Sequence, residues 1–347
     1  MNGGDSVLSC GKQCLTCDYP IHMDTYRGCM HGCLYCATRK KYNITNVQPL
    51  RSAVSLRNFI AGKRTNETKW CDWDIPIHWG ANSDPFQPIE KEHGASLECL
   101  RVFAESKYPF IVSTKNPVML TEEPYMSLIS QCNVVVQISM ACQKYDKLEP
   151  GAPSYEERLK AAAILSQSVR RVVARVQPMF PDALRDIMKE LPRYKEAGIQ
   201  GIIAEGFVSL NKQKGMIREN GVFIFDYGLM YSCFSKLKAE CEKVGLQFTC
   251  THGGLSWLSD SPKCCGTDGL DDFKPNTYHL DRIVLGAADD PTEAMMNQEC
   301  AQPFKCIQQS QAWAIHCKGK SFHELMKERI PSYSGWYFGI KSKFIDE

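Results

Sequence analysis

Hydrophobic positions along residues 20–252 follow two alternating periods. Short runs rich in Val and Ile, nearly continuous in apolar character, are typical of strands that are covered on both faces. Between them, apolar residues recur three and four positions apart, which is the pattern of amphipathic helices. The runs predict strands at 21–27, 75–80, 109–114, 134–140, 171–178, 201–206 and 247–251. The intervening segments predict helices at 53–63, 90–106, 122–131, 155–168, 181–196 and 229–244.

This strand–helix alternation predicts an α/β fold. Six or seven consecutive βα units favour a TIM-like barrel of parallel strands, complete or partial, in which chemistry gathers at the C-terminal ends of the strands. A doubly wound open sheet is the alternative, but no Gly-rich phosphate loop follows any strand. The expected organisation is a short Cys-rich N-terminal segment at 1–20, a barrel at 21–252, and an irregular and helical C-terminal extension at 253–347.

Composition narrows the class of protein. The chain has 347 residues, of which 44% are hydrophobic and 23% charged, and a net charge of +2, so no global basic field indicates nucleic acid. The sequence lacks a long apolar run and an N-terminal signal segment, so we expect no membrane partner. The sequence has 18 cysteines, and several of them are clustered at metal-like spacing, which favours thiolate ligands in a reducing cytoplasm.

The clearest candidate for chemistry is a C-x3-C-x2-C cluster formed by Cys29, Cys33 and Cys36, directly after the first predicted strand. Three thiolates on one short loop suit a [4Fe–4S] cluster, because they hold three irons and leave the fourth open for a ligand. A zinc knuckle, or simply three buried thiols, is the alternative interpretation.

This motif resembles the signature of the radical S-adenosylmethionine (SAM) enzymes. The resemblance implies a [4Fe–4S] cluster whose open iron chelates SAM, reductive cleavage to a 5′-deoxyadenosyl radical, and an electron donor such as flavodoxin or ferredoxin. It also implies a six-unit partial barrel with the cluster loop after the first strand.

Polar residues at successive strand ends would face one rim of such a barrel. SAM needs donors for its carboxylate, acceptors for its amine and ribose, and a flat wall for adenine. We expect Lys115 and Ser139 to serve the carboxylate, and Asp84 or Glu205 the amine or ribose. Further candidates for cofactor contact are Tyr35, whose ring could face adenine, and Arg175. The family resemblance implies a SAM contact for Ser83 as well. For each of them, an ordinary capping or salt-bridge role is the alternative.

Within the radical SAM enzymes, residues 20–210 resemble the spore photoproduct lyase branch, most clearly at Cys29–Cys36, Ser83–Asp84, Lys115 and Ser139. Two positions depart from that branch: Ala81 replaces its hydrogen-donor cysteine, and Ala37 replaces a tyrosine. The resemblance therefore implies a relative that applies the same radical to another substrate, such as an isomerase acting on a modified thymine in DNA. A radical SAM enzyme acting on a peptide or small metabolite, and a non-catalytic zinc-binding protein, remain alternatives.

A second cysteine group precedes the first predicted strand. Cys14 and Cys17, together with Cys264 and Cys265, could form a second Fe–S cluster or a structural zinc site. Such a site would join the two ends of the chain and close the substrate side of the barrel. Unconnected free thiols are the alternative. His252, after the last predicted strand, could reach the substrate or only satisfy a turn.

Overall fold

Parallel strands form the centre of one eight-stranded sheet. The computed structural model describes residues 8–10, 19–36, 46–63, 65, 68, 75–219, 222–252, 255–261 and 264–273. Its strands are β1 Leu8–Cys10, β2 Ile21–Met23, β3 Tyr26–Arg27, β4 Gln48–Pro49, β5 Ile77–Trp79, β6 Phe110–Thr114, β7 Val134–Ser139, β8 Arg171–Met179, β9 Gly201–Gly206, β10 Val208–Ser209, β11 Met216–Glu219, β12 Val222–Phe225 and β13 Gln247–Cys250. Its helices are α1 Ser52–Ile60, α2 Glu90–His93, α3 Ala95–Ser106, α4 Pro117–Leu120, α5 Tyr125–Ile129, α6 Tyr155–Leu165, α7 Leu184–Glu196 and α8 Tyr227–Val244.

The predicted α/β fold of parallel strands is confirmed. β2, β5, β6, β7, β8, β9 and β13 are paired in parallel in that order, and only β1 is antiparallel to its neighbour β2. The parallel part of the sheet therefore has seven strands, one more than the six-unit expectation, because β13 extends it beside β9.

Several predicted boundaries were wrong for local reasons. The first predicted strand is divided into β2 and β3, and β3 leaves the main sheet to pair with β4. The predicted helix at 90–106 is interrupted at Gly94, whose φ of 62° is left-handed and ends α2 before α3 begins. A small antiparallel sheet of β10, β12 and β11 also lies between β9 and α8, where no strand was predicted.

One face of the sheet is buried against helices by an aromatic cluster. The ring centroid of Trp79 on β5 lies 5.7 Å from that of Phe103 on α3 and 5.4 Å from that of Phe86. Phe103 stacks on Phe110 of β6 at 3.8 Å between centroids. Large aromatic contacts of this kind dominate core energetics, so they fix α3 on the sheet.

The opposite face has an apolar floor. Its buried residues form a separate cluster made of Tyr19, Ile111, Val135, Val173, Ile203, Cys265 and Leu270. Because side chains two positions apart on a strand share a face, the next residues on this face are Ser113, Gln137, Arg175 and Glu205. The floor is therefore followed, toward the C-terminal strand ends, by a polar layer.

Residues 264–273 cover the N-terminal ends of the strands. The backbone N–H of Asp271 donates to the Asn133 side chain at 3.1 Å, and the Gln247 amide donates to Asp268 at 3.1 Å. Both Asn133 and Gln247 stand at strand beginnings. The first described part of the predicted extension therefore packs against the N-terminal ends of the strands. Residues 274–347 lie outside the described part of the chain. Among the helices that the structure describes, none has the length and apolar composition of a membrane span.

Candidate functional site

The loop that carries the three cysteines follows β3 at the C-terminal side of the sheet. Cys33 is buried, whereas Cys29 and Cys36 are partly exposed. The loop has no helix or strand of its own between residues 28 and 36. Its conformation must therefore be imposed by contacts with neighbouring segments.

The first of these contacts is with residues 148–151, which follow β7. Leu34 donates its backbone N–H to Leu148 at 2.8 Å, and Gly151 donates its N–H to the carbonyl of His31 at 3.0 Å. The Nδ1 atom of His31 lies 2.8 Å from the carbonyl oxygen of Gly151. A side chain at position 151 would have its Cβ only 2.7 Å from the carbonyl oxygen of Met30, so the close approach requires glycine.

The second contact is with residues 84–87, which follow β5. Met30 donates its N–H to the Gln87 side chain at 2.8 Å, and the Gln87 amide donates to the carbonyl of Gly28 at 3.1 Å. The Nε2 atom of His31 lies 3.1 Å from Asp84 Oδ2. His31 therefore bridges the two segments that flank the cysteine loop.

Asp84 is saturated by protein donors. Its carboxylate accepts from the backbone N–H groups of Phe86 at 2.9 Å and Lys115 at 2.6 Å, and from the hydroxyl of Thr114 at 2.8 Å. Burial alone would raise the pKa of Asp84, but His31 and these hydrogen bonds hold that pKa below its ordinary value. The carboxylate is thus ionised and fixes the ends of β5 and β6 relative to the loop.

Ser83, beside it, is also engaged by the protein. Its hydroxyl donates to the carbonyl of Tyr26 at 2.7 Å, and its N–H donates to Asp24 at 2.9 Å. The predicted direct contacts of Ser83 and Asp84 with SAM stay predictions. What the structure describes is a positioning role, in which both residues set the backbone around the cysteine loop.

A buried ion-pair network brings Lys115 and Tyr35 together. The ammonium of Lys115 lies 3.0 Å from Glu149 Oε1 and 5.4 Å from the centroid of the Tyr35 ring. The hydroxyl of Tyr35 donates to the same carboxylate, and Arg158 Nη1 lies 2.5 Å from Glu149 Oε2. Burial would raise the pKa of Glu149, but Lys115 and Arg158 lower it, so this carboxylate is ionised.

Sequence reasoning missed Glu149, Arg158 and His31. Arg158 also donates to the carbonyl of Ser139 at 2.8 Å, which ties the end of β7 to the network. An acidic residue before a Pro-Gly pair, in the segment after the fourth predicted strand, was the available signal for Glu149. The structure places Ser139 itself half-exposed at the end of β7, beside the strand end that carries Lys115.

The thiols are suited to a cationic metal cluster. Burial raises the pKa of Cys29 to about 12 and that of Cys33 to about 11, although Lys115 lowers the latter. Such thiols ionise when a metal supplies compensating charge. No three potential ligands in the described residues already converge on one metal ion.

Other predicted residues lie deeper or apart. The guanidinium of Arg175 bonds Gln137 at 2.7 Å and also Gln177, so it does not join the Lys115 network. Glu205 accepts from Thr251 at 3.2 Å, and burial raises its pKa. His252 packs on Phe234, with ring centroids 5.6 Å apart.

The second cysteine group is only partly covered by the structure. Cys14 and Cys17, and the side chain of Cys264, lie outside the described residues, and Cys265 lies in the apolar floor. We expected the C-terminal cysteine segment to close the substrate side of the barrel. That expectation is wrong, because residues 264–273 cover the N-terminal ends of the strands, and the substrate side is at their C-terminal ends. Tyr19, two residues after Cys17, makes a 2.5 Å hydroxyl contact with Thr267. The second metal site stays a prediction.

The fold resembles that of spore photoproduct lyase. A variant of that enzyme with bound AdoMet and dinucleoside spore photoproduct superposes with a TM-score of 0.53 at 12% identity, covering 66% of this chain and 76% of that one. The enzyme complexed with the dinucleoside photoproduct alone gives 0.51 at 13% identity, over 68% and 80% of the two chains. The predicted resemblance to the radical SAM, spore photoproduct lyase-like structures is therefore confirmed at the level of the fold.

Sequence comparison adds a more limited likeness. An uncharacterised protein of Mycobacterium tuberculosis strain H37Rv is 24% identical over 192 residues, covering 52% of this chain and 56% of that protein. A protein of Mycobacterium bovis matches to the same extent. The chain thus spans little more than half the length of these curated relatives. No family model matches the chain.

We expect the substitution Glu149→Gln to destabilise the fold strongly. It would leave Lys115 and Arg158 buried without their shared counter-charge, which costs about 3–5 kcal/mol of unfolding free energy. Denaturant unfolding at neutral pH measures the change. Glu98→Gln, which removes an exposed carboxylate paired with Arg101, is the matched control and should change stability by less than about 1 kcal/mol. Equal effects of the two substitutions would contradict the network's importance.

Proposed function

We propose that this protein is a radical SAM enzyme whose [4Fe–4S] cluster is held by Cys29, Cys33 and Cys36. The observation that carries the proposal is the position of the three-cysteine loop. It lies beside the ends of β5, β6 and β7, next to a buried Lys115–Glu149–Tyr35 group, on a fold shared with spore photoproduct lyase. When bound, such a cluster supplies the electron that cleaves SAM to a 5′-deoxyadenosyl radical.

The protein's own residues would bind and orient SAM. Lys115 has three N–H donors and spends one contact on Glu149, so its remaining donors can pair with the SAM carboxylate. Tyr35 offers a ring wall whose orientation is fixed by its hydrogen bond to Glu149. Ser83 and Asp84 would act mainly by holding the loop, and Ser139 stands within the same rim. An electron donor such as flavodoxin or ferredoxin is the expected partner, in the cytoplasm.

For the substrate, we propose a base of DNA, such as a modified thymine that the radical rearranges. Support comes from the fold shared with an enzyme complexed with a dinucleoside, and from Ala81, which stands where the repair branch has a donor thiol. An isomerase returns hydrogen from 5′-deoxyadenosine to its product and needs no such thiol. A base can reach the interior of a barrel only after it has flipped out of the duplex. Base flipping costs on the order of a few kcal/mol.

Substitution of a cluster cysteine tests the enzyme class. We expect Cys33→Ala to lose SAM cleavage and most of its iron after anaerobic reconstitution, because one of three thiolate ligands is removed. Cys142→Ala, which removes another buried thiol after β7, should keep both. Iron content and 5′-deoxyadenosine with dithionite are the measurements. A parent protein that takes up zinc and no iron would instead favour the zinc-binding alternative.

The substitution Lys115→Ala should weaken SAM binding and leave the iron content intact. Loss of one charge-assisted contact costs about 1.5–3 kcal/mol, or roughly ten- to a hundredfold in dissociation constant. Lys107→Ala, on an exposed side chain at the end of α3, is the matched control. Equilibrium titration of SAM onto the reconstituted proteins gives the comparison. If Lys115→Ala bound SAM with the affinity of the parent protein, the assignment of Lys115 to the SAM site would be wrong.

Isotope transfer tests the substrate proposal. Deuterated SAM should pass deuterium through 5′-deoxyadenosine to a modified thymine in single-stranded DNA. Duplex DNA with the same base should react more slowly, because the base must first be unstacked. Unmodified DNA of the same sequence is the control. Turnover of peptides together with no DNA binding at low salt would move the function to the peptide or metabolite alternative.

A further inference from the structure

The polar layer above the apolar floor contains one directed chain of hydrogen bonds. The Ser113 hydroxyl donates to Gln137 Oε1 at 2.8 Å, so it can accept from His78 Nε2, also at 2.8 Å. Arg175 Nη1 donates to the same Gln137 oxygen at 2.7 Å. The Gln137 amide in turn donates to the carbonyl of Cys265 at 2.8 Å, which fixes which way the amide faces. Each of these contacts is satisfied when His78 is neutral.

The layer carries a cation with no ion-pair partner among the described residues. Arg175 bonds only neutral groups there, whereas Lys115 and Arg158 share Glu149. Burial and the nearby Arg175 lower the pKa of His22 to about 4 and also lower that of His78, so both are neutral. Burial raises the pKa of Glu205, although the nearby Arg175 and hydrogen bonds from Thr251 and Gln177 oppose that rise. The Glu205 carboxylate therefore feels the charge of Arg175 but makes no direct ion pair with the guanidinium. Arginine itself cannot lose its proton in a protein.

Partial burial of an arginine that has no ion-pair partner costs folding free energy, unless hydrogen bonds or a bound anion compensate its charge. Here the guanidinium is oriented by two side-chain amides, one of them fixed by the floor, and the side chain is only half-buried. That is a preorganised arrangement in which neutral acceptors hold the cation and leave its charge available. Gln177 accepts from Nε and Gln137 from Nη1, so the N–H groups of Nη2 are the ones that can donate to an anion.

We propose that Arg175 is the anchor of an oxyanion subsite inside the barrel, which takes a carboxylate or phosphate of the substrate. The inference rests on the proposed function, since it assigns to that enzyme's substrate a negatively charged group. Gln137 and Ser113 each stand two residues before Ser139 and Lys115 on their strands, so the subsite lies below the rim. Lys115, beside the cysteine loop, remains the candidate for the SAM carboxylate.

Paired probes test the subsite without turnover. On reconstituted protein saturated with SAM and without reductant, thymidine 5′-monophosphate is titrated against thymidine, and N-acetylglycine against N-acetylglycinamide. We expect the parent to favour the anion of at least one pair by roughly tenfold or more. The pair that shows this preference identifies phosphate or carboxylate as the group bound. Equal binding within both pairs would overturn the proposal.

Variants then locate the preference. Arg175→Gln should abolish it, and Gln137→Glu should do the same, because the new carboxylate compensates the guanidinium. Arg175→Lys should keep part of it, and Arg101→Gln, which removes an exposed arginine, should keep all of it. Melting temperatures confirm that each variant is folded. Unchanged preference in Arg175→Gln, or a loss confined to SAM affinity, would reject the subsite. Absence of SAM cleavage would instead count against the proposed function, because probe binding does not depend on it.

Discussion

One buried carboxylate, that of Glu149, determines how the cysteine loop meets the rest of the site. Lys115, Tyr35 and Arg158 come from three different parts of the chain and all contact it. Buried ion pairs add little net stability, because the desolvation of both charges offsets their attraction. Their value here is positional. A carboxylate that must satisfy three partners has few allowed positions, so the residues around it are held without any helix or strand in the loop.

Asp84 performs the equivalent task on the other side of the loop. It accepts from the backbone of Lys115 and lies next to His31, so the same lysine is fixed through its backbone by Asp84 and through its side chain by Glu149. The His31 ring connects Asp84 with Gly151, two residues beyond Glu149. The cysteine loop is therefore clamped between the segments after β5 and after β7. Substitution of one clamp should disturb thiol geometry even though no ligand is changed.

The sequence was sufficient for the parallel sheet and the cysteine motif, since both depend on local patterns. Apolar runs mark buried strands wherever they fold, and C-x3-C-x2-C spacing is independent of tertiary contacts. Glu149 could not be placed, because its importance comes from Tyr35, 114 residues earlier in the chain. The interruption at Gly94 was missed for a different reason: a left-handed residue changes the helix direction without changing the apolar periodicity. The predicted contact of Arg175 with SAM stays a prediction, and the sequence did not indicate that its side chain bonds Gln137.

Inside the sheet, the apolar floor lies at the N-terminal ends of the strands and the polar layer lies nearer their C-terminal ends. Polar residues within otherwise apolar strands, such as Gln137 in β7 and Arg175 in β8, persist where their hydrogen bonds are complete or where a ligand completes them. Gln137 nearly meets the first condition, because Arg175 and Ser113 donate to its oxygen and one of its two N–H groups donates to Cys265. Arg175 meets only part of it, because it bonds the neutral side chains of Gln137 and Gln177 and makes no direct ion pair with a described carboxylate. The floor beneath it includes Cys265 and Leu270, and the Cys265 carbonyl accepts from Gln137. The segment that follows the barrel therefore contributes to the orientation of a charge near the centre of the barrel. A substrate bound to Arg175 would lie between the apolar floor and the C-terminal strand ends, and both would position it next to the cysteine loop.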